Sequence, residues 1–523
     1  MEKRGKREIF LIVIISAVAI LPLFFLRDFT PKNELKYIEI AKTMANNGQY
    51  FTLYDNGVAY TDKPPFFFWI INFVKFIFGS YNLGVIGTFV SFIPAVLTLI
   101  MASMFSKKYF GEKYNLIAPL ILLTTPLFFI AASCIRMDIL MCFFITGALI
   151  IFFLMYDNKM EVCRKNSYMI YIFMGFGIYV KGAAGILVPF ITILLFLILE
   201  KNIVFLKKIY IIEGLLILLT MILLWFLPAI YFNGIGYINE LIVKQTVGRS
   251  LNAFIHKRPF YYYLILLPVL FFQYIILLIG MGIHYLKNKI ELKKYEKFML
   301  VWFVSTILFF SIVSSKLWLY ILPVVFPGAI LISGYIKEII EKDKKVLEKS
   351  TYLLNSIVLI IGLILLFEYK RETNGILLKD FLFTAFSYTI LSIILLFLYN
   401  KNKIATVVTA FVLPFMILIL NLIFIVPKYN GLIGLKEISQ SIERYNQKDI
   451  IVSYDFSDGI YAEYYLDKDI YSTSKKEDVD KLLKEKVILI TRTKKISKLD
   501  IIWKYKLIYK NSQYCAVEII GKK

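Results

Sequence analysis

Apolar runs of roughly twenty residues recur along most of this chain, and they constrain its fold more than any other feature. A run of that length crosses the hydrocarbon core of a bilayer as an α-helix, because a helix satisfies its own backbone hydrogen bonds in lipid. Hydrophobic residues make up 59% of the sequence. We therefore expect an all-α polytopic membrane protein.

The apolar runs predict about thirteen transmembrane helices. One further apolar stretch, 66–78, is too short to cross the bilayer comfortably. The distribution of basic residues among the loops decides whether it is counted as a transmembrane helix. If it lies in the membrane interface, the basic loops after every second span share a side with the basic N-terminus, as the positive-inside rule requires. The predicted spans are 9–26, 83–105, 115–133, 138–156, 167–180, 183–199, 209–231, 261–283, 297–314, 317–336, 351–368, 382–399 and 404–426.

This topology places the other loops and the C-terminal segment on the outer side of the membrane. In the first outer loop, 27–82, the residues Ile38, Ala41, Met44 and Ala45 recur at helical spacing, which predicts an interfacial helix along the bilayer surface. The net charge of +23 is explained by topology and by attraction to anionic lipid, so it does not indicate nucleic-acid binding.

The composition becomes polar after Pro427, which separates a transmembrane domain at 1–426 from a soluble domain at 427–523. Alternating and helical patterns follow one another there, which predicts a small α/β domain facing outward. It has no glycine-rich phosphate loop, and we interpret it as a lid or a docking module for an acceptor. The strand patterns lie at 449–454 and 486–492, and the helical patterns lie at 433–445 and 475–485.

The cysteines and histidines predict neither a disulfide framework nor a metal cage. The four cysteines show no CxxC or Cys/His spacing. The two histidines, His256 and His284, are too few for a His-rich site.

Charged residues at the ends of spans are costly at membrane depth, so each is a candidate for function. Asp138 begins a span two residues after Arg136, and it either takes part in chemistry or caps the helix N-terminus beside its neighbour. Lys181 interrupts an apolar stretch and precedes the small residues 182–185, which would let an anionic group approach it. The alternative is a boundary lysine that reaches toward the interface.

Three further motifs lie in loops predicted to face outward. Asp62 and Lys63 precede two prolines that stiffen the turn and fix where the acid and the lysine point. Lys316 and Tyr320 are four residues apart and would share one helix face, either as part of a site or as an interfacial anchor. His256 opens a basic and aromatic segment, for which function and anchoring are both open.

Several motifs together carry a family resemblance: Asn-Glu-Leu-Lys-Tyr-Ile-Glu-Ile-Ala-Lys-Thr-Met (33–44), Asp-Lys-Pro-Pro (62–65), Arg-Met-Asp (136–138), Lys-Gly (181–182), His-Lys-Arg-Pro-Phe-Tyr-Tyr-Tyr (256–263) and Lys-Leu-Trp-Leu-Tyr-Ile-Leu-Pro (316–323). In this order they resemble the bacterial aminoarabinose transferase branch of the GT-C glycosyltransferases, whose relatives are the dolichyl-phosphate-mannose protein mannosyltransferases. The resemblance implies a GT-C fold for the transmembrane part.

The resemblance also implies an enzyme of the bacterial inner membrane that moves a sugar from a polyprenyl-phosphate donor on the outer, periplasmic face. Glu34, Asp138 and Asn33 would occupy the catalytic positions. No cofactor is required by this implied chemistry, although Asp62 and His256 could ligate a divalent cation. The implied ligands of the donor phosphate are Lys63, Lys181, Lys36, Tyr37, Arg136, Lys316 and Tyr320.

This sequence departs from the family at its first acidic motif, where Asn33-Glu34 replaces Asp-Glu. An asparagine cannot take a proton as a general base. Either Glu34 or Asp138 takes that role, or the acceptor is already ionised as a lipid phosphate is, or activity is lost.

We expect sugar transfer with inversion to lipid A or another glycolipid. Protein O-mannosylation differs only in the acceptor, which the sequence leaves open. A lipid or oligosaccharide flippase would have the same spans and basic loops, but less reason to gather acid–lysine motifs on one face. The expected partners are the sugar donor, a glycolipid or protein acceptor and membrane lipids, and no nucleic acid.

Overall fold

The computed structural model describes residues 2–248, 257–342, 412–445 and 450–523, with Phe386 and Ile390 between them. The predicted span 351–368 lies outside the described residues. So do 382–399, apart from those two positions, and the first part of 404–426.

The chain divides into two compact units, which we call the membrane unit and the C-terminal unit. Besides the segment after residue 421, the C-terminal unit contains two short polar segments of the first outer loop. The membrane unit comprises Met1–Phe24, Gln49–Leu53 and Ala59–Asn421, and the C-terminal unit comprises Phe25–Gly48, Tyr54–Val58 and Leu422–Lys523.

Helices dominate the described part of the chain before residue 426. Three π-helical turns and two 3₁₀ segments adjoin or interrupt them. The π-helical turns are Pro31–Leu35, Thr88–Phe92 and Glu240–Gly248, and the 3₁₀ segments are Phe272–Tyr274 and Trp318–Val324. The helices are α1 (Glu2–Leu26), α2 (Lys36–Asn47), α3 (Phe66–Phe78), α4 (Leu83–Phe110), α5 (Ile117–Leu123), α6 (Pro126–Ala132), α7 (Met137–Tyr156), α8 (Arg164–Lys181), α9 (Ala184–Leu199), α10 (Phe205–Lys208), α11 (Ile211–Asn239), α12 (Tyr262–Phe271), α13 (Ile275–Lys287), α14 (Lys294–Ile312), α15 (Val325–Lys342) and α16 (Leu413–Ile425).

Seven helices among the described residues are long and apolar enough to cross a membrane, and the bent pair α12–α13 would make an eighth span. α3 and α9 are shorter apolar helices. The protein is therefore an integral membrane protein with the predicted polytopic helical architecture. α3 has 13 residues and covers about 20 Å, which is too short to cross the roughly 30 Å of a bilayer core. That it lies in the membrane interface stays a prediction.

Two predicted spans are broken rather than continuous. The span expected at 115–133 forms α5 and α6, because Pro126 begins the second helix and the preceding Thr125 is extended with φ −76° and ψ 123°. The span expected at 261–283 forms α12 and α13, which bend by 111° where Phe272 adopts φ +40°. Hydropathy measures apolar length, and therefore it did not detect either break.

Stacked aromatic rings hold the centre of the membrane unit together. Phe153 of α7 stacks on Phe298 of α14 with ring centroids 4.6 Å apart. Trp302 of α14 stacks on Phe326 of α15 at 5.4 Å. These contacts join α7 to α14, which is distant in sequence, and α14 to α15, the next α-helix along the chain.

The C-terminal unit is built on a five-stranded mixed sheet of order β4-β3-β5-β7-β6. β3 is parallel to β4 and β5, while β7 is antiparallel to β5 and β6. After two short strands in the first outer loop, β1 (Tyr54–Asp55) and β2 (Val58–Ala59), the sheet strands are β3 (Ile450–Tyr454), β4 (Tyr471–Thr473), β5 (Val487–Arg492), β6 (Trp503–Lys510) and β7 (Tyr514–Lys522).

Successive apolar side chains of β5 point to opposite faces of the sheet. The sheet therefore has a hydrophobic core on both faces. Ile488 and Ile490 pack in the cluster of Ile438, whereas Leu489 packs in the cluster of Val479. The helices that cover the sheet are α17 (Asn430–Ile433), α18 (Lys436–Tyr445), α19 (Glu463–Leu466), α20 (Lys476–Leu482) and α21 (Ile496–Ile502).

The predicted α/β domain is thus confirmed. β3 and β5 form at the predicted strand patterns 449–454 and 486–492, and α18 and α20 form at the predicted helical patterns. The antiparallel pair β6–β7 and the helix α21 were not predicted, although 514–519 is an almost continuous apolar run typical of a buried strand. The domain boundary at 426/427 stays a prediction.

Candidate functional site

A short turn between α6 and α7 presents the charged residues of the Arg136–Asp138 motif. The carbonyl of Cys134 accepts a hydrogen bond from Arg136 N at 2.9 Å and another from the Oγ of the buried Ser91 at 2.6 Å. Arg136 is extended, with φ −143° and ψ 150°, and α7 begins directly after it. This turn therefore fixes Asp138 in the first turn of α7, where a carboxylate is favoured by the helix dipole.

Asp138 is buried and accepts hydrogen bonds from two cations. Arg136 Nε donates to its Oδ2 at 3.1 Å, and Lys181 Nζ donates to its Oδ1. A buried carboxylate is stable only when it is paired and hydrogen-bonded, and both conditions hold here. The structure therefore brings together two motifs that are separate in sequence.

Lys181 reaches this cluster because α8 and α9 form a tight helical hairpin. It is the last residue of α8 and precedes Gly182, whose φ of +71° makes the turn. A Cβ on Gly185 would lie 2.1 Å from the carbonyl carbon of Gly177. The small size of Gly185 is therefore needed for contact between the helices. That the small residues 182–185 let an anionic group approach Lys181 stays a prediction.

Tyr320 completes the cluster from the 3₁₀ segment Trp318–Val324. The Nζ of Lys181 lies 4.5 Å from the centre of its ring, a favourable cation–π distance. With Arg136, Lys181 and Asp138 the cluster carries one net positive charge. Such a cluster is suited to an anionic ligand.

Lys316 is buried in a different setting from the one its sequence spacing predicts. Its Nζ donates to the carbonyl oxygens of Arg258 at 3.2 Å and Val313 at 2.5 Å, and burial lowers its pKa. The expected i, i+4 helix face with Tyr320 does not form, because Leu317 is extended and the helix after it is 3₁₀. Lys316 therefore joins the segment at Arg258 to the one at Val313.

Asp62 and Lys63 are half-buried in the turn that leads into α3. His256, their predicted neighbour in a cation site, lies outside the described residues. Within the part of the chain that the structure describes, no three His, Cys, Asp or Glu side chains are placed to hold a metal ion. The possible cation site at Asp62 and His256 stays a prediction.

The first acidic motif belongs to the C-terminal unit. Glu34 is buried and is held by Arg27, whose Nη1 donates to its Oε2 at 2.8 Å while Nη2 donates to Oε1. Thr30 adds hydrogen bonds from its backbone N at 3.0 Å and its Oγ1 at 3.1 Å. These four donors engage both oxygens of the carboxylate. Asn33 beside it is half-buried in the π-helical turn.

Two predicted phosphate ligands also lie in the C-terminal unit. Lys36 Nζ is 2.6 Å from Oδ2 of Asp55, and Asp55 also accepts a hydrogen bond from the hydroxyl of Tyr461 at 3.1 Å. Tyr37 is buried. Lys36 is thus held by an acid in this structure.

Sequence reasoning missed Arg27 and Ser91. Arg27 directly follows the first predicted span and lies in the same loop as Glu34, with which it forms an ion pair. The need of a buried Glu34 for a nearby cation is the signal that could have identified it. Nothing in the sequence marks Ser91, because its role arises from a contact with a carbonyl 43 residues away.

Comparisons with known proteins agree with this architecture. Residues 62–232 match the family model of the dolichyl-phosphate-mannose-protein mannosyltransferases. The undecaprenyl phosphate-α-4-amino-4-deoxy-L-arabinose arabinosyl transferase of Wigglesworthia glossinidia brevipalpis is 30% identical over 382 residues, which are 70% of this chain and 65% of that protein. The protein of the same name from Serratia proteamaculans is 25% identical over 390 residues, 73% of this chain and 68% of that protein.

The crystal structure of ArnT from Cupriavidus metallidurans bound to undecaprenyl phosphate superposes with a TM-score of 0.79 at 16% identity, and the match covers 97% of both chains. The apo structure of the same protein gives a TM-score of 0.76. This chain has the fold of ArnT. The resemblance to the aminoarabinose transferases and the mannosyltransferases that the motifs indicated is therefore confirmed, and the GT-C type of fold with it.

The buried cluster predicts a strong thermodynamic coupling between Asp138 and Lys181. Asp138→Asn or Lys181→Met alone should destabilise the protein by about 3–5 kcal/mol, since each leaves a buried charge with fewer partners. The double variant should lose less than the sum of the two. Thermal unfolding in detergent measures all three, because the coupling appears as non-additive shifts.

The exposed pair Arg164–Glu213, with 3.7 Å between its nearest charged atoms, provides a matched control in the same unit. Its variants Arg164→Met and Glu213→Gln should change stability by at most about 1 kcal/mol. Additive effects at Asp138 and Lys181 would show that the two side chains are not coupled.

Proposed function

We propose that the protein is a glycosyltransferase that moves a sugar from a polyprenyl-phosphate donor to a lipid acceptor of the cell envelope. The observation that carries this proposal is the buried, net positive cluster of Arg136, Asp138 and Lys181 beside Tyr320, in a chain with the fold of ArnT. The names of the relatives support undecaprenyl phosphate as the lipid carrier and 4-amino-4-deoxy-L-arabinose, a pentose, as the sugar. Lipid A is the acceptor that we propose.

The cluster suits the charge that develops during such a transfer. The acceptor oxygen forms a bond to the anomeric carbon while the bond from that carbon to the phosphate oxygen breaks. The electron pair leaves with the lipid phosphate, whose charge grows from about −1 to about −2. Lys181 and Arg136, with Lys63, would stabilise this charge most in the transition state. One displacement of this kind inverts the anomeric carbon.

Asp138 has an orienting role in this proposal. Its two oxygens hold one cation each, so the carboxylate fixes Lys181 and Arg136 with their donors gathered in one place. Because both oxygens are engaged in these contacts, we assign Asp138 the orienting role and not that of a base. The remaining candidate ligands of the donor phosphate, Lys36, Tyr37, Lys316 and Tyr320, stay proposals.

The acceptor that these groups favour is a phosphate. Glu34 is held by four donors and Asp138 by two cations, while Asn33 cannot accept a proton. A hydroxyl acceptor needs a base, whereas a lipid phosphate attacks as an oxyanion. Transfer to a protein hydroxyl is the competing proposal, supported by the name of the matching family model. A flippase would perform no transfer at all.

Transfer in detergent tests the proposal, because detergent leaves no compartments for flipping. The wild type should release sugar from a polyprenyl-phosphate donor and form a glycolipid product, identified by mass spectrometry. Lys63→Ala and Lys181→Ala should lower kcat/KM for the donor by about 30-fold or more, since truncating a buried charge contact costs about 2–5 kcal/mol. The exposed lysine of α3, changed by Lys75→Ala, is the control and should retain full activity.

A folded Lys63→Ala variant with wild-type kinetics would show that this lysine lies at the membrane–water interface without binding the donor. Absence of any sugar release by the wild type, with donor and lipid acceptor both supplied, would refute the transferase proposal.

Asn33→Asp separates the two classes of acceptor. A new carboxylate near a phosphate acceptor repels it, more strongly in a partly dehydrated cavity than in water, so transfer to lipid phosphate should stay constant or fall. With a hydroxyl acceptor the same change supplies a base, which contributes about 10²–10⁴-fold in rate, and transfer should stay constant or rise. Steady-state rates with lipid A and with a dephosphorylated lipid measure this. A marked gain with lipid A would contradict the phosphate acceptor.

We also propose that the first outer loop and the C-terminal domain face the periplasm. In a variant without native cysteines, an impermeant thiol reagent should label Asn56→Cys and Lys484→Cys from outside, but not Lys165→Cys. All three positions are exposed, whereas the native Cys515 is buried and unsuitable as a probe. Labelling of Lys165→Cys alone would reverse the topology.

A further inference from the structure

The segment that carries the first acidic motif is fastened to the C-terminal domain at Asp28. This residue directly follows α1 and Arg27, and it is 2% exposed. Its backbone N donates to Oδ1 of Asn430 at 2.6 Å, and Nδ2 of Asn430 donates to the carbonyl of Leu26 at 2.9 Å. The side chain of Asn430 thus replaces two backbone partners where the chain leaves α1.

The carboxylate of Asp28 makes the stronger part of this attachment. Its Oδ2 accepts from the backbone N of Lys436 at 2.8 Å, at the start of α18, where the first N–H groups have no partner within the helix. Its Oδ1 accepts from Phe29 N at 2.7 Å and from the hydroxyl of Tyr465. Burial raises the pKa of Tyr465, so its hydroxyl keeps its proton and remains a donor.

Gly434 allows this close approach. A Cβ at this position would lie 2.3 Å from Cγ of Asp28 and 2.6 Å from the carbonyl oxygen of Phe29. Both distances are far below van der Waals contact, and one of them is to backbone. The sequence of the C-terminal domain is therefore adapted to the segment that follows α1.

A second attachment lies beyond α2. Asp55 accepts from Tyr461 of the C-terminal domain at 3.1 Å and pairs with Lys36 at 2.6 Å. All of these residues belong to the C-terminal unit. The motif segment, which we define as residues 28–47, is therefore held near Asp28 and again through Lys36.

We propose that the C-terminal domain positions the first acidic motif, and that Asp28, Tyr465 and Gly434 are positioning residues for it. The segment they hold carries Asn33 and Glu34. The inference rests on the proposed function, because the motif matters only if the protein performs the transfer. The domain is then a fixed support for the motif segment, in addition to any contact it makes with an acceptor.

Hydrogen–deuterium exchange tests the attachment without any assay of activity. The amides of Glu34 and Leu35 both donate to the carbonyl of Thr30, at 3.0 and 3.2 Å, so their exchange reports on the order of the motif segment. In the full chain in detergent, Asp28→Ala should raise their exchange about tenfold or more, while β3 and β5 stay protected. Asp28→Asn keeps an oxygen that accepts from Lys436 N and should restore much of the protection.

Transfer kinetics test whether the attachment serves the reaction. Asp28→Ala and Tyr465→Phe should lower kcat about tenfold or more with little change in the thermal midpoint, and Asp28→Asn should recover part of it. Tyr445→Phe is the matched control, because Tyr445 donates to Glu518 within the same domain at 2.5 Å. It removes the same kind of hydrogen bond and should leave kcat unchanged.

Unchanged exchange of the motif segment in Asp28→Ala would overturn the attachment. Raised exchange with wild-type kcat would overturn its role in the reaction, and so would an equal loss of kcat in Tyr445→Phe. If the wild type transfers no sugar, the proposed function fails and the positioning role fails with it, while exchange still decides whether the attachment exists.

Discussion

The contact of Asp138 with Lys181 and Arg136 is the interaction on which the membrane unit depends. A carboxylate at the end of a transmembrane helix would be too costly to bury alone, so the two cations must reach it. Lys181 does so from the last turn of α8, the helix whose Gly177 contacts the backbone of Gly185 on α9. The need to pair the buried carboxylate of Asp138 with cations thereby constrains the adjoining ends of α7, α8 and α9.

The same contact explains how two neighbouring cations can persist inside a membrane protein. Two cations without a counter-ion would repel each other and would resist desolvation. Asp138 balances one of them and leaves the cluster with a single net positive charge, while the ring of Tyr320 adds a favourable face for Lys181. A phosphate that enters would then meet donors that are already oriented, which limits the entropy lost on binding.

The C-terminal unit follows a different principle. Its stability comes from a sheet with apolar side chains on both faces, and such a core needs nothing from the membrane. The polar segment after α1 is joined to it by hydrogen bonds with Asn430, Lys436 and Tyr465. A stretch that the sequence presents as part of the first outer loop is therefore structurally part of the C-terminal domain.

The sequence by itself determined the membrane class, the approximate ends of most described helices and the α/β character of the C-terminal domain, because apolar length and periodicity are local properties of a chain. It also marked Arg136, Asp138, Lys181 and Tyr320 singly as candidates. Only the tertiary structure decided that these four meet, that Pro126 and Phe272 break two spans, and that Lys316 bonds backbone carbonyls. Each depends on backbone geometry or on contacts between residues far apart in the chain. The pairing of Asp28 with Lys436 spans 408 residues, and no local pattern can encode it.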